Sequence, residues 1–215
     1  TQILGGLPVF LPPLAEQKAI AQILGTWDEA IQVTEALIDA LGRRKQGLMQ
    51  RLLTGEVRFP EFEGEWDEVK LGDVVDSITS GLSRKLSIVD IGLPVLTSSN
   101  LQDEKVDYSS IKYWYRDDPQ GADTSNYFLK DGDILVNFIN SMSQIGKSAI
   151  YENKLKRDMI YTTNIFRIRP NSKLIPKYLF SQTMTTQYKK YIASITKPAV
   201  NQASFTTKEF RKFIF

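Results

Sequence analysis

Between residues 20 and 52 one set of large apolar side chains falls at Ile20, Leu24, Trp27, Ile31, Ile38, Leu41, Leu48 and Leu52, with Thr34 and Lys45 filling the two gaps. Steps of four and three residues alternate throughout, the spacing of a heptad seam on one face of an α-helix. The punctuation agrees. In "LPPLAEQKAIAQIL" (11–24), Pro12 and Pro13 open a helix at no cost, because a first-turn N–H has no helical partner. Glu16 then places an anion where the helix dipole favours one. Arg43, Arg44, Lys45 and Arg51 lie in the C-terminal half, and Gly55 supplies a stop after Thr54. Roughly forty residues at about 1.5 Å each make a rod of about 60 Å, longer than a small domain. Gly25, Gly42 and Gly47 each weaken it by about 1 kcal/mol relative to alanine, so packing must hold it. The seam either folds over its own domain or acts as a spacer pairing with a second long helix. Its length favours the spacer.

Beyond residue 56 the period changes. "EVRFPEFEGEW" (56–66) reads as a linker whose Phe59, Phe62 and Trp66 anchor the helix to the globular part. Short runs rich in Val, Ile, Phe and Tyr then predict strands at 93–101, 133–139, 147–152 and 164–170. "LKDGD" (129–133) offers an Asp-Gly turn just before one of them. Residues 174–194 predict a helix with Leu179, Phe180, Thr183, Tyr188, Tyr191 and Ile192 on its inner face, and "FTTKEFRKFIF" closes as a short turn and a final apolar strand. The fold class is α+β, a long coiled-coil-forming helix followed by a globular α/β domain.

Composition narrows the chemistry. The 215 residues are 42% hydrophobic and 24% charged, enough apolar material for a core, with no apolar run near the roughly 18 residues of a membrane span. No signal peptide is visible, and the chain begins at Thr1, as an excised piece would. There is no cysteine, which suits a reducing cytoplasm, and no histidine. Zinc sites, thiol nucleophiles and imidazole acid–base chemistry are thereby excluded. The net charge of +2 hides a polarity: residues 140–215 carry 14 Lys/Arg against 3 Asp/Glu, whereas residues 1–139 carry 13 against 22. Either the two parts neutralise each other across one fold, or the basic part faces an acidic partner.

The junction "LPPLAEQKAIAQIL" followed by a long helix resembles the conserved region of specificity subunits of Type I restriction–modification systems. The pieces "WDEVKLGDVVDSITSG" (66–81), "GLPVLTSSNL" (92–101), "LKDGDILVNF" (129–138), "TNIFRIRP" (163–170) and "AVNQASFTTKEFRKFIF" (199–215) are similar to their target-recognition domains, in the same order. The resemblance divides the chain into 1–12, the end of a preceding recognition-domain strand, 13–55, the spacer helix, and 56–215, a target-recognition domain. It implies that a complete subunit holds two such units in tandem, their helices paired antiparallel, each domain reading half of a split DNA target. "ILGGLPVF" before the prolines and "FRKFIF" at the end look like equivalent places in successive units. The chain is therefore expected to be about one repeat, half of a natural pair or a fragment. The partners implied are double-stranded DNA, the modification subunit and, through it, the restriction subunit. S-adenosylmethionine, Mg²⁺ and ATP would serve those partners, and no cofactor is expected here.

Phosphates are positioned by cations, and bases are read by Arg, Lys, Asn, Gln, Ser or Thr on loops. Four polar loops qualify, at 80–85, 97–100, 137–147 and 196–204. The candidates for DNA contact are Arg84, Lys85, Asn140, Gln144, Lys147, Lys189, Lys190, Lys197, Asn201 and Gln202; Lys154, Lys156, Arg157, Lys173 and Lys177 add basic surface. Asn100 and Asn137 are expected to satisfy their own backbone instead. Enzyme readings fare worse. A methyltransferase needs a glycine-rich cofactor loop and an Asn/Asp-Pro-Pro-aromatic run, and neither occurs. The nuclease-like trio Glu61, Glu68 and Lys70 sits in an acidic linker where such patterns arise by chance. The expectation is a non-catalytic DNA-recognition module. The alternative is a coiled-coil scaffold without DNA specificity of its own. With one helix per chain, the seam at Ile20 to Leu52 has no internal partner, and an antiparallel homodimer would cover it, bringing the acids at 28, 29, 35 and 39 toward the Arg43–Lys45 cluster of the other copy.

Overall fold

The structure is a computed structural model that describes residues 10–102 and 104–215. Most of the expected strand end at 1–12 therefore lies outside the described residues. The chain divides into two units that meet between Leu52 and Leu53.

The first unit is dominated by α1, Leu14–Leu53, 40 residues long. Its opening is capped as the prolines suggest: the amides of Glu16 and Gln17 donate to the Pro13 carbonyl, and Gln17 Nε2 donates to that of Pro12 at 2.7 Å. Past its end Gly55 takes φ 74°, the left-handed conformation that only glycine enters cheaply. No residue of α1 is buried. Trp27 is 66% exposed and Ile38 63%, and Leu52, at the end of the seam, is half-buried.

The second unit is built on β1 (Val75–Ser80), β2 (Leu93–Leu96), β3 (Leu101–Gln102), β4 (Lys105–Val106), β5 (Lys112–Trp114), β6 (Ile134–Asn137), β7 (Ile139–Asn140), β8 (Ser148–Ile150), β9 (Ile160–Tyr161) and β10 (Ile165–Pro170). Then follow α2 (Pro176–Gln182), α3 (Thr186–Ile195), β11 (Lys197–Pro198), β12 (Ala203–Ser204) and α4 (Thr207–Phe210). The main sheet, in order β1-β10-β6-β8, is antiparallel throughout. β6 is buried along its whole length because both faces are covered. Ile134, Val136, Phe166 and Ile168 pack under Leu179, Tyr188, Ile192, Phe205, Phe210 and Phe213. On the opposite face Leu135 and Ile165 meet Leu96, Leu101, Tyr151, Met159 and Tyr161. Smaller sheets β5-β2-β9 and β11-β12-β7 flank it.

Three expectations need correction. The helix expected over 174–194 is two, α2 and α3, broken at Thr183–Thr185. There Thr183 Oγ1 donates to the Phe180 carbonyl, and Thr185 Oγ1 caps α3 by accepting from the Tyr188 amide. Hydroxyls that bond nearby backbone compete with helix continuation. Phe59 and Phe62 do not anchor the linker; both are exposed, and Trp66 packs locally, beside Gly55 and under the Arg58 guanidinium. Instead of a full closing strand, residues 213–215 pair with 69–71 through Lys70 and Ile214 and a few flanking hydrogen bonds. β1 has little apolar signal of its own, since "VDSITS" carries only Val75 and Ile78 toward the core.

Candidate nucleic-acid interface

Strand directions decide where the polar loops go. β1 ends at Ser80 opposite Phe166, and Asn137 at the end of β6 pairs with Ile165 at the start of β10. The loops after β1 and β6 therefore leave from the same end of the main sheet. The turn Thr162–Asn164, between β9 and β10, ties them together. Leu82 N donates to the Tyr161 carbonyl at 2.9 Å, Thr162 N to Leu96 at 2.9 Å, and Phe138 N to Asn164 at 3.2 Å. Loops 80–85, 97–100 and 137–147 thus converge on Tyr161, Thr162 and Asn164, the end of β9 and the turn after it, which has no hydrophobic period of its own and so left no signal in the sequence. The fourth loop joins by strand pairing, with Ala203 opposite Asn140 and Ser204 opposite Ile139. The end of β7 and the beginning of β12 lie side by side, so segment 141–145 and the 199–202 turn emerge together.

Around this end the candidate residues separate into two groups. Asn201 and Gln202 are exposed and Gln144 is half-exposed, and their side-chain amides make no hydrogen bond among the described residues. Asn140, half-exposed, uses Oδ1 to accept from the Ser141 amide at 2.8 Å, and its Nδ2 makes no hydrogen bond among the described residues. Lys147 and Lys189 line one cleft of about 460 Å³ together with Met142, Ser143, Met184 and Thr196. α3 is seated there by Tyr188, whose hydroxyl donates to the Gly146 carbonyl at 3.1 Å. Lys197 opens the adjoining hairpin, and Lys190 is exposed on α3 but does not line the cleft. Lys85 is exposed in the 80–85 loop and does not line the cleft.

Arg84 belongs to the framework, contrary to the expectation that it reads a base. Its guanidinium grips Asp118 through Nε, at 3.1 Å from Oδ1, and through Nη2, while Nη1 donates to the Ser83 carbonyl at 2.7 Å. Asp118 is fully covered and also accepts from Trp114 Nε1 and the amides of Gln120 and Ala122. The Arg84 guanidinium, with those added donors, holds the Asp118 carboxyl well below the usual carboxylate range, against the opposing effect of burial. Arg157 is likewise spent on Asp90, and Lys154 lies 3.8 Å from Glu152. Asn100 behaves as expected: Oδ1 accepts from the Thr97 amide at 2.8 Å, and Nδ2 donates to the Asp107 carbonyl. Asn137 does not. It is fully buried, and neither Nδ2 nor Oδ1 has a hydrogen-bond partner among the described residues. Among the described residues no group of three or more acidic side chains could hold a metal.

Residues 63–213 match the family described as Type I restriction modification DNA specificity domain. The chain belongs to this family. Among curated specificity subunits, it is 34% identical over 152 residues to a putative type I restriction enzyme MjaX specificity subunit of Methanocaldococcus jannaschii, covering 70% of this chain and 35% of that protein. It is 24% identical to the EcoKI specificity subunit of Escherichia coli K12, covering 79% and 38%. The MjaVIII specificity subunit of M. jannaschii is 28% identical, covering 90% and 48%. The chain thus spans between a third and a half of the length of these relatives. Its fold is similar to that of the HsdS subunit from Thermoanaerobacter tengcongensis, at TM-score 0.52 and 18% identity over 95% of this chain and 46% of that one. A second solved chain, from work on assembly and conformational transition of the type I R-M system, gives TM-score 0.53 at 20% identity, covering 95% and 48%. The matched specificity domain contains all four converging loops, while α1 lies ahead of it. No helix among the described residues is long and apolar enough to cross a membrane.

Proposed function

We propose that this specificity-domain chain recognises one half of a split double-stranded DNA target and carries no catalysis of its own. The observation that supports this is the convergence of Asn140, Gln144, Asn201 and Gln202 with Lys147, Lys189 and Lys197 at one end of the sheet, the amides half-exposed or exposed and the lysines without ion pairs among the described residues. Lysines neutralise phosphates without regard to sequence, whereas amides present the donor–acceptor pair that fits a base edge. Catalysis would come from a modification subunit and, through it, a restriction subunit. The test is duplex binding by the 215-residue chain across a salt series. Each phosphate contact steepens the dependence of log K on log salt by about 0.9, so affinity should fall sharply between low and moderate salt. Salt-independent or absent binding would favour the scaffold reading.

The helix seam supports a second part of the reading, an antiparallel pair with another copy of the chain. A two-fold axis near residue 36 sets Ile20 against Leu52, Leu24 against Leu48 and Ile31 against Leu41. It also brings Asp28 and Glu29 level with Arg44 and Arg43. Large apolar side chains along α1 forgo about 1.5–3 kcal/mol each while exposed, which a symmetric partner would recover. Light scattering at tens of micromolar should give twice the chain mass and the monomer mass for Ile31→Asp. A wild-type monomer would leave the seam to a different helix.

A further inference from the structure

The 199–202 turn carries an unusual residue at its tip. Ala199 N donates to the Gln202 carbonyl at 2.7 Å, which closes a four-residue turn with Val200 and Asn201 at its centre. Turn centres favour Pro, Gly, Asn, Asp or Ser, each for a backbone reason; valine has none. Neither central residue takes positive φ, so the backbone does not explain the choice. Val200 is 99% exposed. Single exposed hydrophobes are ordinary on protein surfaces, but a second one lies in the neighbouring segment. Met142, 63% exposed, lies in the 141–145 segment that the β7–β12 pairing sets at the same end of the small sheet. Both lie in segments that also carry exposed or half-exposed amides, near lysines without ion pairs among the described residues, where a solvated tip would carry polar side chains.

We propose that Val200, supported by Met142, is a specificity-determining residue that takes up the C5-methyl group of a thymine in the major groove. The adjacent amides of Asn201 and Gln202 read the adenine N6 and N7 edge. The proposal rests on the DNA-recognition reading above and names the base pair that this site prefers. The chemistry is complementary in one step of the groove. An A·T pair shows an amino donor and an N7 acceptor on one side, which an Asn or Gln amide bonds in bidentate fashion, and an apolar methyl on the other. Three consecutive residues, Val200 to Gln202, supply both halves of that pattern. A G·C pair offers no methyl.

The full chain is used to select duplexes from a random pool, and each thymine of the selected site is then replaced singly by uracil, which removes only the methyl. One position should lose about fourfold in affinity, the effect of one buried methyl-sized group. Val200→Ala should weaken binding to the thymine site by a similar factor and should be indifferent to uracil at that position. Its melting temperature should be unchanged, since the side chain is 99% exposed. At the same position, 5-methylcytosine opposite guanine should bind better than unmodified cytosine, which separates methyl contact from A·T geometry. A selected site without thymine overturns the proposal. So does a Val200→Ala variant that binds like the wild type, or one that loses equally on thymine and uracil duplexes, as a wedge between base steps would. In these cases salt-dependent binding persists and the recognition reading stands. Loss of all salt-dependent binding by the wild-type chain removes both.

Discussion

The cations of this domain live in two different settings. Around the flank of the main sheet, arginines are held by carboxylates: Arg84 by Asp118, Arg157 by Asp90, and Arg169 by Asp133, whose side chain is only 1% exposed. Arg167 is buried and donates to the carbonyls of Asn126 and Phe128. At the loop end the cations are lysines, Lys147, Lys189, Lys190 and Lys197, exposed and without ion pairs among the described residues. The division follows the chemistry of the two side chains. A planar guanidinium fits a carboxylate in bidentate fashion and tolerates partial burial, whereas an ammonium is compact, strongly hydrated and easily left in water. Net charge counts the two alike. Only the second group is without a carboxylate partner among the described residues.

The largest effect that should break or sharpen this contrast is on binding. Charge reversal of Lys189, Lys190 and Lys197 together should weaken affinity for every duplex alike and reduce the salt slope by about 0.9 for each phosphate no longer neutralised. The melting temperature should not change. An unaltered slope in filter-binding titrations would take the lysines off the DNA face.

Next comes the junction that aims the loops. An alanine Cβ at Gly81 would fall 2.0 Å from the Tyr161 carbonyl oxygen, so the 80–85 loop must come away from the hub turn. Gly81→Ala should cost about 3 kcal/mol in urea denaturation. A loss below about 1 kcal/mol would show that the loop is not fixed there.

The arginine framework should reveal itself through acid. Asp118 is more acidic folded than unfolded, as are Asp90, Asp107 and Asp123. Their ionised forms therefore contribute stability that is fully present above the unfolded value, near pH 4. That contribution is lost as pH falls toward the lower folded values. Stability should be level from pH 7 to 5 and decline below pH 4. Asp118→Asn should be less stable at neutral pH and decline less steeply in acid. Parallel curves for the two proteins would contradict the assignment. Arg84→Met should lower the melting temperature without changing which DNA sequence is preferred.

The smallest effect concerns Asn137. A buried amide without partners costs free energy that an apolar side chain does not, so Asn137→Leu should be neutral or stabilise by up to about 1 kcal/mol. A loss above about 2 kcal/mol would show that the amide is bonded in solution.

Much of the architecture is legible in the sequence because it depends on neighbours along the chain. The heptad spacing, the proline pair and Gly55 define α1 within a turn or so, and the Val- and Ile-rich runs mark β2, β6, β8 and β10. The helix break at Thr183–Thr185 is less visible, since hydroxyl competition with the backbone is weak against a continuing apolar period. The candidate loops stand out by their polar composition, but composition does not distinguish Asn100, folded inward to hold its own turn, from Asn201, exposed at a tip.

Taken by itself, the sequence of this protein determined the long helix with its apolar seam, the α+β class and the four polar loops, because period, caps and turn residues act over a few positions. Only the tertiary structure decided which cations and amides remain for a ligand. The partners that remove them are remote along the chain: Asp118 is 34 residues from Arg84, Asp133 is 36 from Arg169, and Asp90 is 67 from Arg157. Strand pairing likewise brings Asn140 beside Ala203, and with it the two loop tips, by a register that no local pattern encodes.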